Sequence, residues 1–391
     1  MFFSSLATLV RRSAIAHRLP SRHAAAAFST SAQALVFQGP GLPFLHETCD
    51  LPPLNDGEVL VKLEMATICG SDLHSIDGKR IEPAPSVLGH EGVGVVQQAA
   101  PGARAAVGDR VTFTVADSCG TCRPCGEYHL PQKCTSLFKY GHALMEKDPA
   151  KANGLNGTYA SHIVLKKGTA MIPIPDNVSN KVAAPANCAL ATMVEALFMA
   201  PLPVPTENVL IQGAGLLGLY GSAMLDHEGA KVWCTDLNQK RLDMVPKFGG
   251  IAAPIDPAEA EAAIMADPAV QANRGVDLVV EVAGAPAVLP QGIRLLRPGG
   301  MYVLVGMVHP DSGLGGVTGE QLIRKCVTMR GIHNYSPEAL QRGVDFLSAT
   351  VDKYPFEDLV HDKVYPLSDL AAAVDLARTQ IAPRVAVDCS L

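Results

Sequence analysis

The first 46 residues contain no aspartate or glutamate. They carry Arg11, Arg12, Arg18 and Arg22 among many alanines and serines, the composition of an organelle transit peptide. The apolar stretch "MFFSSLATLV" precedes the arginine pair, the wrong order for a secretory signal, which puts charge first. The expected address is the mitochondrial matrix, with a plastid or cytoplasmic location as alternatives, and the leader is placed at residues 1–32. Beyond these arginines there is no run of lysine and arginine, and the net charge is -6, so no basic field exists for a nucleic-acid backbone. No uninterrupted apolar run of about 18 residues is present, so no segment is expected to cross a bilayer. Internal repeats and low-complexity tracts are absent outside the leader.

What remains is a globular composition, 48% hydrophobic over 391 residues, long enough for two domains. From Ala34 to about Pro185 the chain is rich in glycine and proline, with short and often alternating apolar runs such as Val59, Val61, Leu63 and Met65. That pattern reads as antiparallel β-structure. After Pro185 it changes. "NVLIQGAG" runs into the helical pattern "LLGLYGSAMLDHEGA" and then the strand "KVWCTD", a parallel βαβ unit. "VDLVVEVAG" and "MYVLVGMV" continue the sheet, with helical patterns near 239–248, 257–266 and 286–296 between strands, so this half is doubly wound. The last segment, from about Cys326, is too short for a domain and is expected to return to the β-rich half.

Three clusters carry chemistry. In "GAGLLG", Gly213 permits the tight turn, Gly215 lets a pyrophosphate approach the backbone, and Gly218 lets helix pack on strand. Leu216 and Leu217 lie within this loop. Asp236 ends the next strand, where a carboxylate bonds ribose hydroxyls and repels a 2'-phosphate, which predicts NAD rather than NADP; Arg241 follows it. The second cluster, "CGTCRPCGEYHLPQKC", sets Cys119, Cys122, Cys125 and Cys134 at the spacing of a four-thiolate structural zinc. An iron-sulfur site and ligation by His129 are the alternatives. The third comprises Cys69 in "CGSDLH", His90 and Glu91 in "GHEGVG", and Cys188 in "PANCALATM". Two cysteines and a histidine around zinc leave a fourth position open, the arrangement of a catalytic ion. Ten cysteines in a reducing compartment are expected to be metal ligands or buried thiols rather than disulfides.

Taken together and in this order, "CGSDLH", "GHEGVG", the cysteine lobe and "GAGLLG" followed by Asp236 resemble the zinc-containing medium-chain alcohol dehydrogenases, over essentially all of residues 34–391. The resemblance implies an α/β protein: a GroES-like β-rich catalytic domain at 33–188, a doubly wound Rossmann domain at 189–325, and a segment 326–391 completing the catalytic domain. It implies one catalytic zinc on Cys69, His90 and Cys188, one structural zinc on the lobe, and NAD. Glu91 matches an acidic neighbour able to approach the catalytic zinc. Ser71 matches the hydroxyl that bonds the substrate oxygen, and His74 the far end of a proton relay. Asp72 would accept from the ring nitrogen of His90 that faces away from the metal, and Thr192 would stand beside the nicotinamide. The gap between Cys125 and Cys134 is eight residues, one more than is usual for the family.

A finer resemblance, in "GSDLHSIDGKR", "LPQKCTSLFKYGH" and "GIHNYSPEALQRGVDFL", is to the branch associated with phosphonate catabolism. It implies a small polar or phosphonate-bearing alcohol or aldehyde, with Arg80, Lys139 or His142 as anion contacts. Polyol or threonine dehydrogenase activity is the alternative; those relatives tend to carry a carboxylate where this chain has Cys188. A non-enzymatic zinc scaffold is the reading from a different class. By resemblance the partner is a small molecule and the assembly a homodimer or homotetramer, paired at the sheet edge where "MYVLVGMV" is expected.

Overall fold

The structure is a computed structural model and describes residues 30–199, 202 and 206–390. The leader assignment falls on residues 1–29, outside the described residues, except at its end. Ser31 and Ala32 already pair with Asp50 and Cys49 in the first strand, so the sheet begins two residues before the boundary drawn from the sequence.

The β-rich half is built on a seven-stranded sheet. Its path runs β10 (Met171–Pro173), β6 (Arg110–Phe113), β5 (Glu91–Ala99), β3 (Val59–Thr67), β18 (Arg384–Asp388) and β17 (Val360–Pro366), with β9 (His162–Leu165) also paired to β3. In β3, Val59, Leu60, Val61 and Leu63 are fully buried, each adding about 1.5–3 kcal/mol of apolar burial, while Lys62 between them is exposed. A small sheet of β2 (Leu45–Asp50), β1 (Ser31–Phe37) and β4 (Ser86–Val87) lies beside it, and β7 (Ala116–Asp117) pairs with β8 (Phe138–Lys139).

The second half is a parallel sheet of six strands: β13 (Ile251–Ala252), β12 (Lys231–Thr235), β11 (Asn208–Gln212), β14 (Val276–Glu281), β15 (Leu296–Leu304) and β16 (Thr328–Gly331). From the first strand in sequence, β11, the order reads 3-2-1-4-5-6, with its switch point between β11 and β14, where ligands of open α/β sheets bind. Two expectations need correction. The segment beginning at Cys326 first supplies β16 to this parallel sheet, because Thr328–Gly331 stands in register with Met301–Leu304. Only afterwards does the chain reach the β-rich half, where Ala386 pairs with Thr67. The stretch "MYVLVGMV" is therefore not the sheet edge; β15 is covered by β16.

The helix Asn180–Met199 crosses from one half to the other, and the boundary drawn at 188/189 falls inside it. By length and composition it is apolar enough to cross a membrane, a feature hidden from a search for uninterrupted apolar runs because Asn180, Lys181, Asn187, Thr192 and Glu195 punctuate it. Its apolar window is 72% buried within the protein, so its hydropathy is that of a core helix. The 239–248 segment also differs from one continuous helix: Pro246 lies in a separate 3-10 turn, Val245–Phe248, after the helix Gln239–Leu242.

Candidate catalytic metal centre and cofactor site

Cys69 caps the short helix Gly70–Ile76 from an extended conformation. Its backbone N–H donates to Asp72 Oδ2 at 2.9 Å, so the residue that holds the cap also holds the cysteine. Asp72 is buried; the same oxygen accepts the Tyr159 hydroxyl at 3.0 Å, and Oδ1 stands 3.2 Å from His90 Nδ1. His90 immediately precedes β5, whose first residue is Glu91. Before it, Gly89 has φ +85°, and a Cβ there would meet the Thr158 hydroxyl at 2.4 Å. Only glycine lets the chain turn the imidazole inward at this point.

Cys188 lies in a π-helical turn, Ala186–Leu190, of the long helix. Such turns displace a side chain from the regular helical path and recur at functional sites. Asn187 beside it donates to the carbonyls of His90 at 2.9 Å and Phe113 at 2.8 Å, and its own carbonyl accepts the Tyr335 hydroxyl. The turn is thereby fastened to His90 itself and to the end of β6.

One ligand atom from each of Cys69, His90, Glu91 and Cys188 lies within 4.8 Å of all the others. The Cys69 and Cys188 sulfurs are 4.0 Å apart. Two thiolates each about 2.3 Å from a tetrahedral zinc stand about 3.8 Å apart, so the pair fits that ion. Hydrogen bonding from Cys188 draws the Cys69 thiol well below its ordinary pKa against the effect of burial, with Arg384 and His90 adding to the pull. Burial disfavours a charged His90, but Asp72 and Cys69 outweigh it and raise its pKa to about 10.

Glu91 is held differently from the other three. Arg384 grips it with Nε on Oε2 and Nη2 on Oε1, both at 2.8 Å, and the Thr67 hydroxyl donates to Oε2 at 2.6 Å. Arg384 Nη2 also donates to Cys69 Sγ at 3.3 Å. Both Glu91 oxygens are thus engaged by Arg384 and Thr67, which leaves Cys69, His90 and Cys188 as the set with the donor chemistry of a zinc site. Burial raises the Glu91 pKa to about 7 even against Arg384. Arg384 was missed in the sequence. Its one signal there is a charge placed directly before the apolar run Val385–Val387 of "RVAVDC".

The proposed relay residues occupy the helix that Cys69 caps. Ser71 is half-buried and His74 exposed, three residues apart and so neighbours on one helix face. Among the described residues no hydrogen bond joins them. Thr192, one turn beyond Cys188, donates its hydroxyl to the Cys188 carbonyl at 2.7 Å.

At the end of β11 the glycine loop is shaped by contact. Gly213 has φ +113°, and a Cβ on Gly218 would lie 2.0 Å from the Gly213 carbonyl oxygen, so strand and helix meet backbone to backbone. A Cβ on Gly215 would meet nothing within 4 Å. That open space lies at the start of the helix Leu216–His227, where unbonded N–H groups favour a phosphate. Leu216 is buried and Leu217 half-buried. Asp236 accepts from Ala214 N at 2.8 Å and Asn238 N at 2.9 Å, tying the end of β12 to the loop. Arg241 stands 3.5 Å from it and donates to Gln380.

In the lobe, ligand atoms of Cys119, Cys122, Cys125 and Cys134 also lie within 4.8 Å of one another. Backbone N–H groups of Cys122, Cys119 and Ser136 donate to their sulfurs at 3.3 Å, which favours thiolates. The long gap closes through a 3-10 turn, Pro131–Lys133, that delivers Cys134. His129 is not in the set.

Two family models match the chain, an alcohol dehydrogenase GroES-like domain over residues 55–176 and a zinc-binding dehydrogenase over residues 217–349. The chain belongs to the zinc-containing medium-chain alcohol dehydrogenase family. An L-threonine 3-dehydrogenase of Pseudoalteromonas atlantica is 29% identical, matching 74% of this chain and 81% of the relative. A 5-exo-hydroxycamphor dehydrogenase of Pseudomonas putida is 26% identical over 88% of this chain and 96% of its own length. The crystal structure of an alcohol dehydrogenase from Thermotoga maritima superposes with a TM-score of 0.83 at 28% identity, over 92% of this chain and all of that one. As a member of this family the protein is an oxidoreductase of the GroES-like plus Rossmann type, with zinc and NAD as its cofactors.

Proposed function

We propose that this dehydrogenase interconverts a small polar alcohol and its carbonyl compound, phosphonate-bearing alcohols among them. The observation that carries this reading is the meeting of Cys69, His90 and Cys188 while Arg384 and Thr67 occupy Glu91, which leaves a fourth ligand position for substrate. When bound, zinc supplies a Lewis acid for the alcohol oxygen, and NAD accepts the hydride. The rest falls to the chain. Ser71 Oγ would accept the hydroxyl proton as it gives up its own, and exposed His74, on the same helix face, would pass that proton to solvent. Asp72 orients the His90 ring, while Tyr159 and the Cys69 N–H hold Asp72. Thr192 would stand beside bound nicotinamide, and Asp236 would hold the adenosine ribose. NADH formation across short primary alcohols, 2-hydroxyethylphosphonate, sorbitol and threonine tests the substrate class.

Threonine or polyol oxidation is the second reading, favoured by the relatives named L-threonine 3-dehydrogenase. A maximal rate on threonine or sorbitol would establish it. A non-enzymatic zinc scaffold predicts no turnover of any alcohol. The proposed assembly is a homodimer or homotetramer, with β16 as the edge available for pairing; light scattering of the purified protein tests it. A mitochondrial matrix location is proposed from the acid-free leader, with a plastid or cytoplasmic location as alternatives, and N-terminal sequencing of protein from its cell tests it.

A further inference from the structure

Strand β14 buries a carboxylate at each of its ends. Near its start, Asp277 accepts Arg297 Nε at 2.6 Å and Asn208 N at 3.0 Å, so the charge has a cation beside it. At the far end Glu281 is fully buried, and among the described residues it forms no ion pair. Its oxygens go to backbone instead. Oε1 accepts Gly284 N at 2.5 Å and Oε2 accepts Gly306 N at 3.0 Å, so one side chain holds both the loop that follows β14 and the loop that follows β15. Burial raises the Glu281 pKa, and these amides act in the opposite sense. A buried carboxylate without a cation is costly, and an apolar side chain would fill the place with a smaller desolvation penalty. Only an acceptor with two oxygens ties the loops to each other.

The tied loops stand at the switch point. A Cβ on Gly306 would lie 2.6 Å from Gly284 N and 2.9 Å from Glu281 Oε1, so the two loops touch backbone to backbone over the carboxylate. The loop after β14 also touches the glycine loop, since a Cβ on Gly213 would lie 2.9 Å from Ala283 N. Beside that contact Val282 N donates to the Gln212 carbonyl at 2.9 Å. Gln212 and Glu281 are register partners at the carboxyl ends of β11 and β14, where an open parallel sheet takes its ligand. Ala283 is exposed there, whereas the carboxylate that anchors its loop is not.

We propose that Glu281 is a positioning residue for the dinucleotide: by clamping the loops after β14 and β15 to each other and against Gly213, it sets the wall of the crevice in which NAD is held. This rests on the dehydrogenase reading above and deepens its cofactor site. Being fully buried, Glu281 acts through the loops. Glu281→Gln keeps the shape of the side chain but sets an amide NH2 against one of the two backbone N–H groups, and two donors cannot bond each other.

Titration of the zinc-loaded protein with NADH, followed by fluorescence, tests this. Affinity should weaken at least tenfold in Glu281→Gln and stay within twofold of wild type in Asp277→Asn, which removes a buried charge from the same strand away from the crevice. Urea denaturation without cofactor measures how far each variant is destabilised; a carboxylate with a merely structural role would make the two variants alike in NADH affinity. In turnover the change in Glu281→Gln should fall chiefly on KM for NAD, with KM for the alcohol within twofold. Hydrogen exchange on the wild type decides the matter even where Glu281→Gln does not fold: NADH should slow exchange at 282–285 and 305–307 at least tenfold and leave 272–276 unchanged. Equal NADH affinity in Glu281→Gln and wild type, an equal loss in both variants, or exchange in the two loops unaffected by NADH overturns the positioning role while leaving the NAD reading in place. A wild type that binds no NADH overturns both.

Discussion

Gly215 and Gly218, three residues apart in one loop, should respond oppositely to the same added methyl. At Gly215 the backbone is extended, φ -74° and ψ -168°, a conformation open to any residue, and nothing lies within 4 Å of the new Cβ. Gly215→Ala should therefore fold as stably as the parent or gain about 0.4–1 kcal/mol, because alanine restricts the unfolded chain. Its methyl would occupy the space through which a pyrophosphate reaches the helix N-terminus. One charge-assisted hydrogen bond lost there costs about 1.5–3 kcal/mol, which weakens NADH binding about ten- to a hundredfold. At Gly218 the new Cβ would lie 2.0 Å from the Gly213 carbonyl oxygen, against about 3.4 Å for an ordinary contact. Helix and strand must separate by about 1.4 Å (3.4 minus 2.0), and overpacking of this kind costs about 1–3 kcal/mol or more. Fluorescence titration with NADH and urea denaturation of both variants separate the two effects. An NADH affinity within twofold of wild type in Gly215→Ala, or an undiminished urea midpoint in Gly218→Ala, would refute the reasoning.

Arg384→Met leaves Glu91 buried without its partner, which should cost about 3–5 kcal/mol in urea denaturation and be partly restored in the double variant with Glu91→Gln; a loss below about 1 kcal/mol contradicts the clamp. Cys119→Ser should reduce metal content from two zinc ions per chain to one by elemental analysis, and a content still at two removes Cys119 from the lobe. His162, bonded at 2.9 Å to the Ser161 hydroxyl and at 2.8 Å to Gln97, has its pKa lowered by burial to about 4. The folded state then binds fewer protons than the unfolded one between about pH 6.5 and 4, so stability should fall on acidification through that window. His162→Asn should flatten the fall, and an unchanged acid limb sinks the assignment.

What could be read from sequence was local. The glycine loop, the cysteine lobe and the helix carrying Ser71, Asp72 and His74 each fit within about sixteen residues, so spacing alone conveys the geometry. The rest depends on residues far apart in the chain. Arg384 reaches Glu91 across 293 positions, and the pairing of Thr328–Gly331 with β15 puts into the parallel sheet a strand whose segment, too short for a domain, was expected in the β-rich half. Cys188 was visible as a cysteine, but the π-helical turn that presents it, and the Asn187 bonds that fasten that turn, depend on His90 and Phe113 packed against it. The link from Glu82 through His142 to His90 is likewise tertiary, joining a proline-rich loop to the segment after the lobe.

The central claim is a zinc site on Cys69, His90 and Cys188 that oxidises alcohols with NAD. Its most direct test is NADH formation by the zinc-loaded chain on the alcohol panel, beside Cys69→Ser with zinc retained in its lobe. The account predicts turnover that disappears in the variant. NADH formation at the same rate in Cys69→Ser, or none on any substrate with two zinc ions bound per chain, would contradict it.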